Sequence, residues 1–152
     1  MIRKESEAVL NMLLVKLFND ILKIEGAVLK DGEFSDLSVT EMHIIEAIGM
    51  DREMTMTEVA NDLDITVGTL TTAINRLIKK EYVERRRIEE DRRVVLIKLT
   101  NKGEEAFKSH AKFHDDMIKS VILELSENEE DVLISSLKKI TNFFEEKYNI
   151  HK

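Results

Sequence analysis

The sequence of 152 residues predicts a mainly α-helical fold carrying one small β-hairpin. Three observations predict it. Apolar residues recur at helical spacing in long stretches near both ends. Three Ser/Thr-x-x-Glu boxes mark helix starts. Only between about residues 82 and 99 does the apolar period change from helical to alternating. Composition agrees: proline is absent, so none breaks a helix interior, and Leu, Ile, Glu and Lys dominate.

The elements follow in order. A first helix is expected from about Glu5 to Leu29, with Leu10, Leu13, Leu14, Leu17, Phe18, Ile21, Ile24 and Val28 as its stripe. A loop follows around Gly32. Ser38 with Glu41, Thr55 with Glu58 and Ser126 with Glu129 fit the capping box, in which the hydroxyl accepts from the N3 amide and the carboxylate from the cap amide. They place helices over residues 39–49, closed by Gly49, 56–63 and 127–147. A fourth helix starts near Thr66, presents Leu70, Ile74, Leu77 and Ile78 on one face, and ends near Lys80–Glu81. Strands are expected over Tyr82–Ile88 and Val94–Leu99, joined by a turn at Glu89–Arg93. Thr100 or Asn101 caps a fifth helix to about Leu125, with Phe107, His110, His114, Ile118 and Val121 on its stripe.

Charge is unevenly placed. The net charge of −7 argues against a protein that coats nucleic acid with its whole surface. Yet Arg76–Lys98 holds nine Lys/Arg against five Asp/Glu, and five arginines fall within residues 85–93. Cysteine is absent, which excludes disulfides, thiolate metal sites and thiol redox sensing. The N-terminal MIRKESE run is not followed by an uncharged apolar region, and Val9–Leu22 is interrupted by Asn11, Lys16, Asn19 and Asp20. A cytoplasmic protein with no membrane partner is expected. No enzyme is expected either: there is no Gly-rich phosphate loop and no nucleophile–base pairing.

The third and fourth helices, with the turn "DLDI" between them, form a helix-turn-helix. The first turns of the fourth helix carry Thr66, Val67, Gly68, Thr69, Thr71 and Thr72, followed by Asn75 and Arg76. Small, hydroxyl-bearing side chains of this kind can reach phosphates and base edges in a major groove. A hairpin with an arginine tip follows at once, which makes the unit, residues 38–100, a winged helix whose tip can enter a narrow minor groove. Residues 1–30 and 101–152 form a helical region too apolar to stand alone, which points to a homodimer.

The hairpin and following turn, "DRRVVLIKLT" then "NKG", resemble the wing of the MarR (multiple-antibiotic-resistance regulator) family. The resemblance covers essentially the whole chain. It implies that Arg93 enters the minor groove, that Asp91 orients it, and that Arg92 touches phosphate. One departure stands out: the family usually has Gly where this sequence has Glu81. A left-handed Glu there costs about 1 kcal/mol relative to Gly. Within the family, "LSVTEMHIIEAIG", "ITVGTLTTAINRL", "YVERRRIEEDRRVV" and "FKSHAKFHDDM" resemble the FabT-type repressors of fatty-acid biosynthesis. That resemblance implies a repressor binding double-stranded DNA palindromes, with long-chain acyl-acyl carrier protein as corepressor.

An acyl group needs an adaptable apolar pocket, for which Leu14, Phe18, Met42, Ile45, Phe113 and Met117 are candidates beside His43, His110 and His114. The same Met/Phe spacing also suits plain core. Arg85–Arg87, Lys108 and Lys112 are candidates for docking the acidic carrier protein. On this reading no cofactor is required and no metal is expected. The alternative is a zinc-responsive repressor. His110 and His114 are spaced i, i+4, so both can face one metal. Zinc-sensing members of the family place a Glu and three His at approximately the positions of Glu25, His43, His110 and His114.

Overall fold

The computed structural model describes residues 2–150. Six helices and three strands follow in the order α1 (Ile2–Asp31), α2 (Val39–Ile48), β1 (Met54–Thr55), α3 (Met56–Asp62), α4 (Val67–Lys79), β2 (Val83–Arg87), β3 (Val95–Leu99), α5 (Asn101–Leu123) and α6 (Glu127–Tyr148). The mainly helical fold with a hairpin wing is therefore present. β2 is one residue shorter at each end than the apolar alternation indicates, and β3 begins one residue later but ends at Leu99 as expected. β1, two residues long, was not expected. It pairs Met54 with Ile97 and makes β3 the central strand of an antiparallel sheet ordered β1-β3-β2.

All three capping boxes form. The one at α2 has a second use. Glu41 accepts from the Ser38 amide at 3.2 Å and also from Lys80 Nζ, 3.0 Å from each carboxylate oxygen. The start of α2 is thereby tied to the end of α4. Gly49 closes α2 at φ 76°, and Arg52 covers that end by donating to the Ile48 and Ala47 carbonyls at 2.7 and 3.0 Å.

One core joins α2, α3, α4 and the sheet. Met42, Ile44, Ile45, Ile48, Val59, Leu70, Ile74, Leu77, Tyr82 and Ile97 are buried in it. Phe34 and Leu37, in the segment read as loop, are buried there too, with the Phe34 ring edge-on to Tyr82 at 6.2 Å. Tyr82 donates to Asp36 Oδ1 at 2.6 Å. Burial, then that hydrogen bond, push its phenol well above the usual tyrosine range.

Glu81 does adopt the left-handed conformation, at φ 68°. Its carbonyl accepts from the Thr100 hydroxyl at 2.6 Å, and the Lys80 carbonyl accepts from Lys102 at 2.9 Å. The end of α4 and the start of α5 are thus clamped together. Gly103 permits the approach: a Cβ there would stand 2.1 Å from the Tyr82 carbonyl oxygen.

The remaining helices present apolar faces to solvent. Along α1, Leu10, Leu13, Leu14, Leu17 and Phe18 are each at least half exposed. On α5, Ile118 and Val121 are exposed although the sequence places them on a buried stripe. No residue of α6 is buried. A 22-residue helix without a buried face is not held by its own propensity.

Candidate nucleic-acid interface

The helix-turn-helix is built by local rules. Asp64 takes φ 52° in the turn, and the Ile65 amide donates to the Ala60 carbonyl at 3.0 Å. Thr66 caps α4, its hydroxyl oxygen accepting from the Thr69 amide at 3.1 Å. Leu70, Ala73, Ile74 and Leu77 then face the core. The opposite face presents Val67, Gly68, Thr69, Thr72, Asn75 and Arg76, all exposed, with Thr71 half-buried beside them. The Thr71 and Thr72 hydroxyls donate back to the Val67 and Gly68 carbonyls at 2.8 and 3.3 Å. Their methyl groups and acceptor lone pairs are what remain for a partner.

The wing stands beside this face. A groove of about 550 Å³ separates the two, lined by Val67, Thr71 and Asn75 on one side and Arg85, Arg87 and Arg93 on the other. Thr57, at the start of α3, lines it as well. The period of two along β2 decides which arginines face the groove. Arg85 and Arg87 do; Arg86 points the other way and grips Glu53 at 2.9 and 2.7 Å. That guanidinium holds the Glu53 carboxyl below the usual carboxylate range. Arg87 donates to the Arg92 carbonyl at 2.8 Å and steadies the tip. At the tip, Asp91 accepts from the amide and side chain of Arg93, whose side chain is 92% exposed. Arg93 in turn holds the Asp91 carboxyl low, chiefly through the side-chain contact.

Every DNA candidate named from the sequence thus lies on α4, at its N-cap or on the wing tip. Thr57, Arg85 and Arg87 complete the groove and were not among them. The strand alternation carried the signal for the two arginines.

A second cluster forms where α1, α2 and α5 meet. His43 Nε2 stands 2.7 Å from Glu25 Oε1. His110 Nε2 stands 3.2 Å from the same oxygen, 3.5 Å from Glu46 Oε2 and 2.9 Å from His114 Nε2. Burial, then the neighbouring His114, hold His110 below the ordinary histidine range, so it is neutral at pH 7. The ligand atoms of Glu25, His110 and His114 lie within 4.8 Å of one another, as do those of His43, Glu46 and His110. Glu46 joins the set without having been anticipated; its exposed place one turn after His43 gave no reason to single it out.

Of the apolar candidates, Met42 and Phe113 line a cavity of about 40 Å³ with Glu25 and His110. That is room for a water molecule rather than a chain. Phe113 and Met117 also line an open cleft of about 640 Å³ between α1 and α5, with Ile24, Val28 and Val121. Ile45 is fully buried in the core, and Leu14 and Phe18 lie exposed on α1. Among the described residues no helix is long and apolar enough to cross a membrane.

Comparison with known proteins gives a consistent picture. The MarR family model matches residues 37–95. The FabT protein of Streptococcus pneumoniae, solved in complex with DNA, superposes with a TM-score of 0.87 at 38% identity, over 92% of this chain and 98% of that one. The HTH-type transcriptional regulator SarZ of Staphylococcus haemolyticus is 32% identical over 76% of this chain and 77% of its own length. The HTH-type transcriptional regulator PchR of Bacillus subtilis is 23% identical over 71% of this chain, a match spanning 66% of the relative.

Proposed function

The chain belongs to the MarR family of helix-turn-helix transcriptional regulators, and from that premise we propose that it is a homodimeric repressor of fatty-acid biosynthesis genes with long-chain acyl-acyl carrier protein as corepressor. One observation carries the DNA-binding part: the small, hydroxyl-bearing face of α4 shares a groove with Arg85, Arg87 and Arg93 of the wing. In a dimer each α4 enters a major groove and each wing tip a flanking minor groove, with half-sites about one helical turn apart. The apolar faces left open on α1, α5 and α6 supply the surface that a second copy covers.

The fatty-acid assignment is supported by the FabT-type motifs and by the 38% identity to a FabT protein over nearly the full chain. The apolar cleft between α1 and α5 shares Val28, Ser109 and Phe113 with the small cavity that Met42 of α2 lines, and α2 bonds to the end of the recognition helix through Glu41 and Lys80. An acyl chain there biases the spacing of the two recognition helices by binding one arrangement better than the other.

A second reading has its own observation. The buried, neutral His110 has three polar atoms within reach of its Nε2, which can carry only one proton. A cation would satisfy all of them, and Glu25, His43, His110 and His114 have the chemistry that zinc selects. Zinc would supply a fixed positive charge joining α1, α2 and α5.

The test is affinity for a palindrome from a fatty-acid synthesis operon, in chelator, with and without long-chain acyl carrier protein. Tightening with the acylated carrier is the expected result. No change with carrier, and tightening only when zinc replaces the chelator, moves the protein to the metal sensors.

A further inference from the structure

Asn75 lies on the exposed face of α4, and its side-chain amide is held by the wing. Arg85 Nη1 donates to Asn75 Oδ1 at 2.9 Å. An amide can present either its acceptor oxygen or its two N–H donors in a given direction, and it normally chooses by its surroundings. Arginine has no acceptor at all, so only the oxygen of Asn75 can face it. The contact therefore removes the choice: the carbonyl turns toward β2, and the NH₂ group is the part left for the groove.

We propose that Arg85 is a positioning residue that fixes the amide of Asn75, so that this pair reads one base of the operator as a hydrogen-bond acceptor. The inference rests on the DNA-binding reading above and gives it a sequence preference. Arg85 takes one lone pair of the Asn75 oxygen and turns it toward β2, so the group of Asn75 left open to the groove is its NH₂ donor. In the major groove guanine offers two adjacent acceptors, O6 and N7, and thymine offers O4, whereas cytosine offers only a donor. Asn75 held in this way favours guanine over cytosine. An unconstrained asparagine behaves differently, since it can use both ends on adenine.

The neighbouring arginines act otherwise. Arg86 is turned away and bound to Glu53, and Arg87 is engaged with the Arg92 carbonyl. Arg85 hydrogen-bonds to a side chain of α4.

The experiment is selection from a library of randomised palindromes by the full-length protein, followed by binding to each single-base variant of the selected site. In the wild type one position per half-site favours guanine over cytosine about tenfold, the order expected for one good base contact. Asn75→Ala flattens that position and leaves the others. Arg85→Lys, which also only donates, retains the preference. Arg85→Gln, which can accept from the amide and let it turn, relaxes it toward adenine. If Arg85→Gln lowers affinity equally for all four bases, Arg85 acts on the backbone alone and the proposal is overturned. A wild type that selects no palindrome overturns the DNA-binding reading together with it, an outcome distinct from uniform loss.

Discussion

Arg93 is bound by the residue two positions before it: its amide and Nε each reach Asp91 Oδ1 at 3.1 Å, and its Nη2 reaches Oδ2 at 3.3 Å. The carboxylate thus holds an arginine that is almost wholly exposed. Exposed ion pairs contribute little to stability, so the contact serves to aim the side chain. Arg93→Ala is expected to weaken binding to a palindrome by about 1–3 kcal/mol while leaving the thermal midpoint nearly unchanged. Fluorescence anisotropy and a melting curve on the same preparation check both halves. Full-strength binding would remove the wing tip from the interface.

Arg86 and Arg87 are adjacent in sequence and face opposite sides of the wing. Arg87→Ala should lower DNA affinity several-fold, through lost charge in the groove and a loosened tip. Arg86→Ala should leave affinity within about twofold, because that side chain is already committed to Glu53. Equal losses in the two variants would mean that Arg86, like Arg87, serves the DNA-binding groove.

These two arginines also show how much could be read from the sequence. Capping boxes are local, and all three formed where Ser38, Thr55 and Ser126 placed them. The helix-turn-helix and hairpin were legible because their periods differ. β1 was not, since two residues carry no period and Met54–Thr55 becomes a strand only by pairing with Ile97 and Leu96. Phe34 and Leu37 lie in a segment that reads as loop because of Gly32 and Asp36; their burial is set by the core that the rest of the chain supplies, with the Phe34 ring against Tyr82 more than forty residues away. The stripe of α5 was legible as apolar, but not its division: Phe107 and His110 are covered by the chain's own core and by α1 and α2, whereas Ile118 and Val121 stand exposed. The groove arginines were visible as a charged run; only the strand register divides them.

Glu81 is a glutamate in a conformation that favours glycine. Glu81→Gly should raise stability by about 1 kcal/mol, somewhat reduced by the greater freedom of glycine in the unfolded chain. The Thr100 contact uses the backbone carbonyl and survives the change. A denaturant titration decides it; a loss of stability would mean that the glutamate side chain contributes more than its backbone costs.

Gly103 is a glycine for a reason of space. A Cβ 2.1 Å from the Tyr82 carbonyl oxygen cannot be accommodated by a side-chain rotation, because the obstacle is backbone. Gly103→Ala must push α5 away from the start of β2 and break the Thr100 and Lys102 clamps. The expected cost is about 3 kcal/mol, at the upper end for overpacking, and DNA affinity should fall with it because the wing moves. An alanine variant with wild-type stability would show that α5 can start elsewhere.

Phe18 is 65% exposed on α1, in a row with Leu10, Leu14 and Leu17. A buried phenylalanine contributes about 2–3 kcal/mol, and a charge buried in its place costs more unless it finds a partner. If this face is covered by a second copy, Phe18→Glu acts twice in a symmetric dimer. The variant should therefore sediment as a monomer at micromolar concentration while the wild type sediments as a dimer. Because α6 has no buried residue of its own, helicity should fall along with association. Affinity for a full palindrome should drop much more than affinity for a single half-site, since the second half-site loses its effective concentration. A Phe18→Glu dimer of undiminished strength would place the interface on another face, and the apolar row of α1 would then need a different partner.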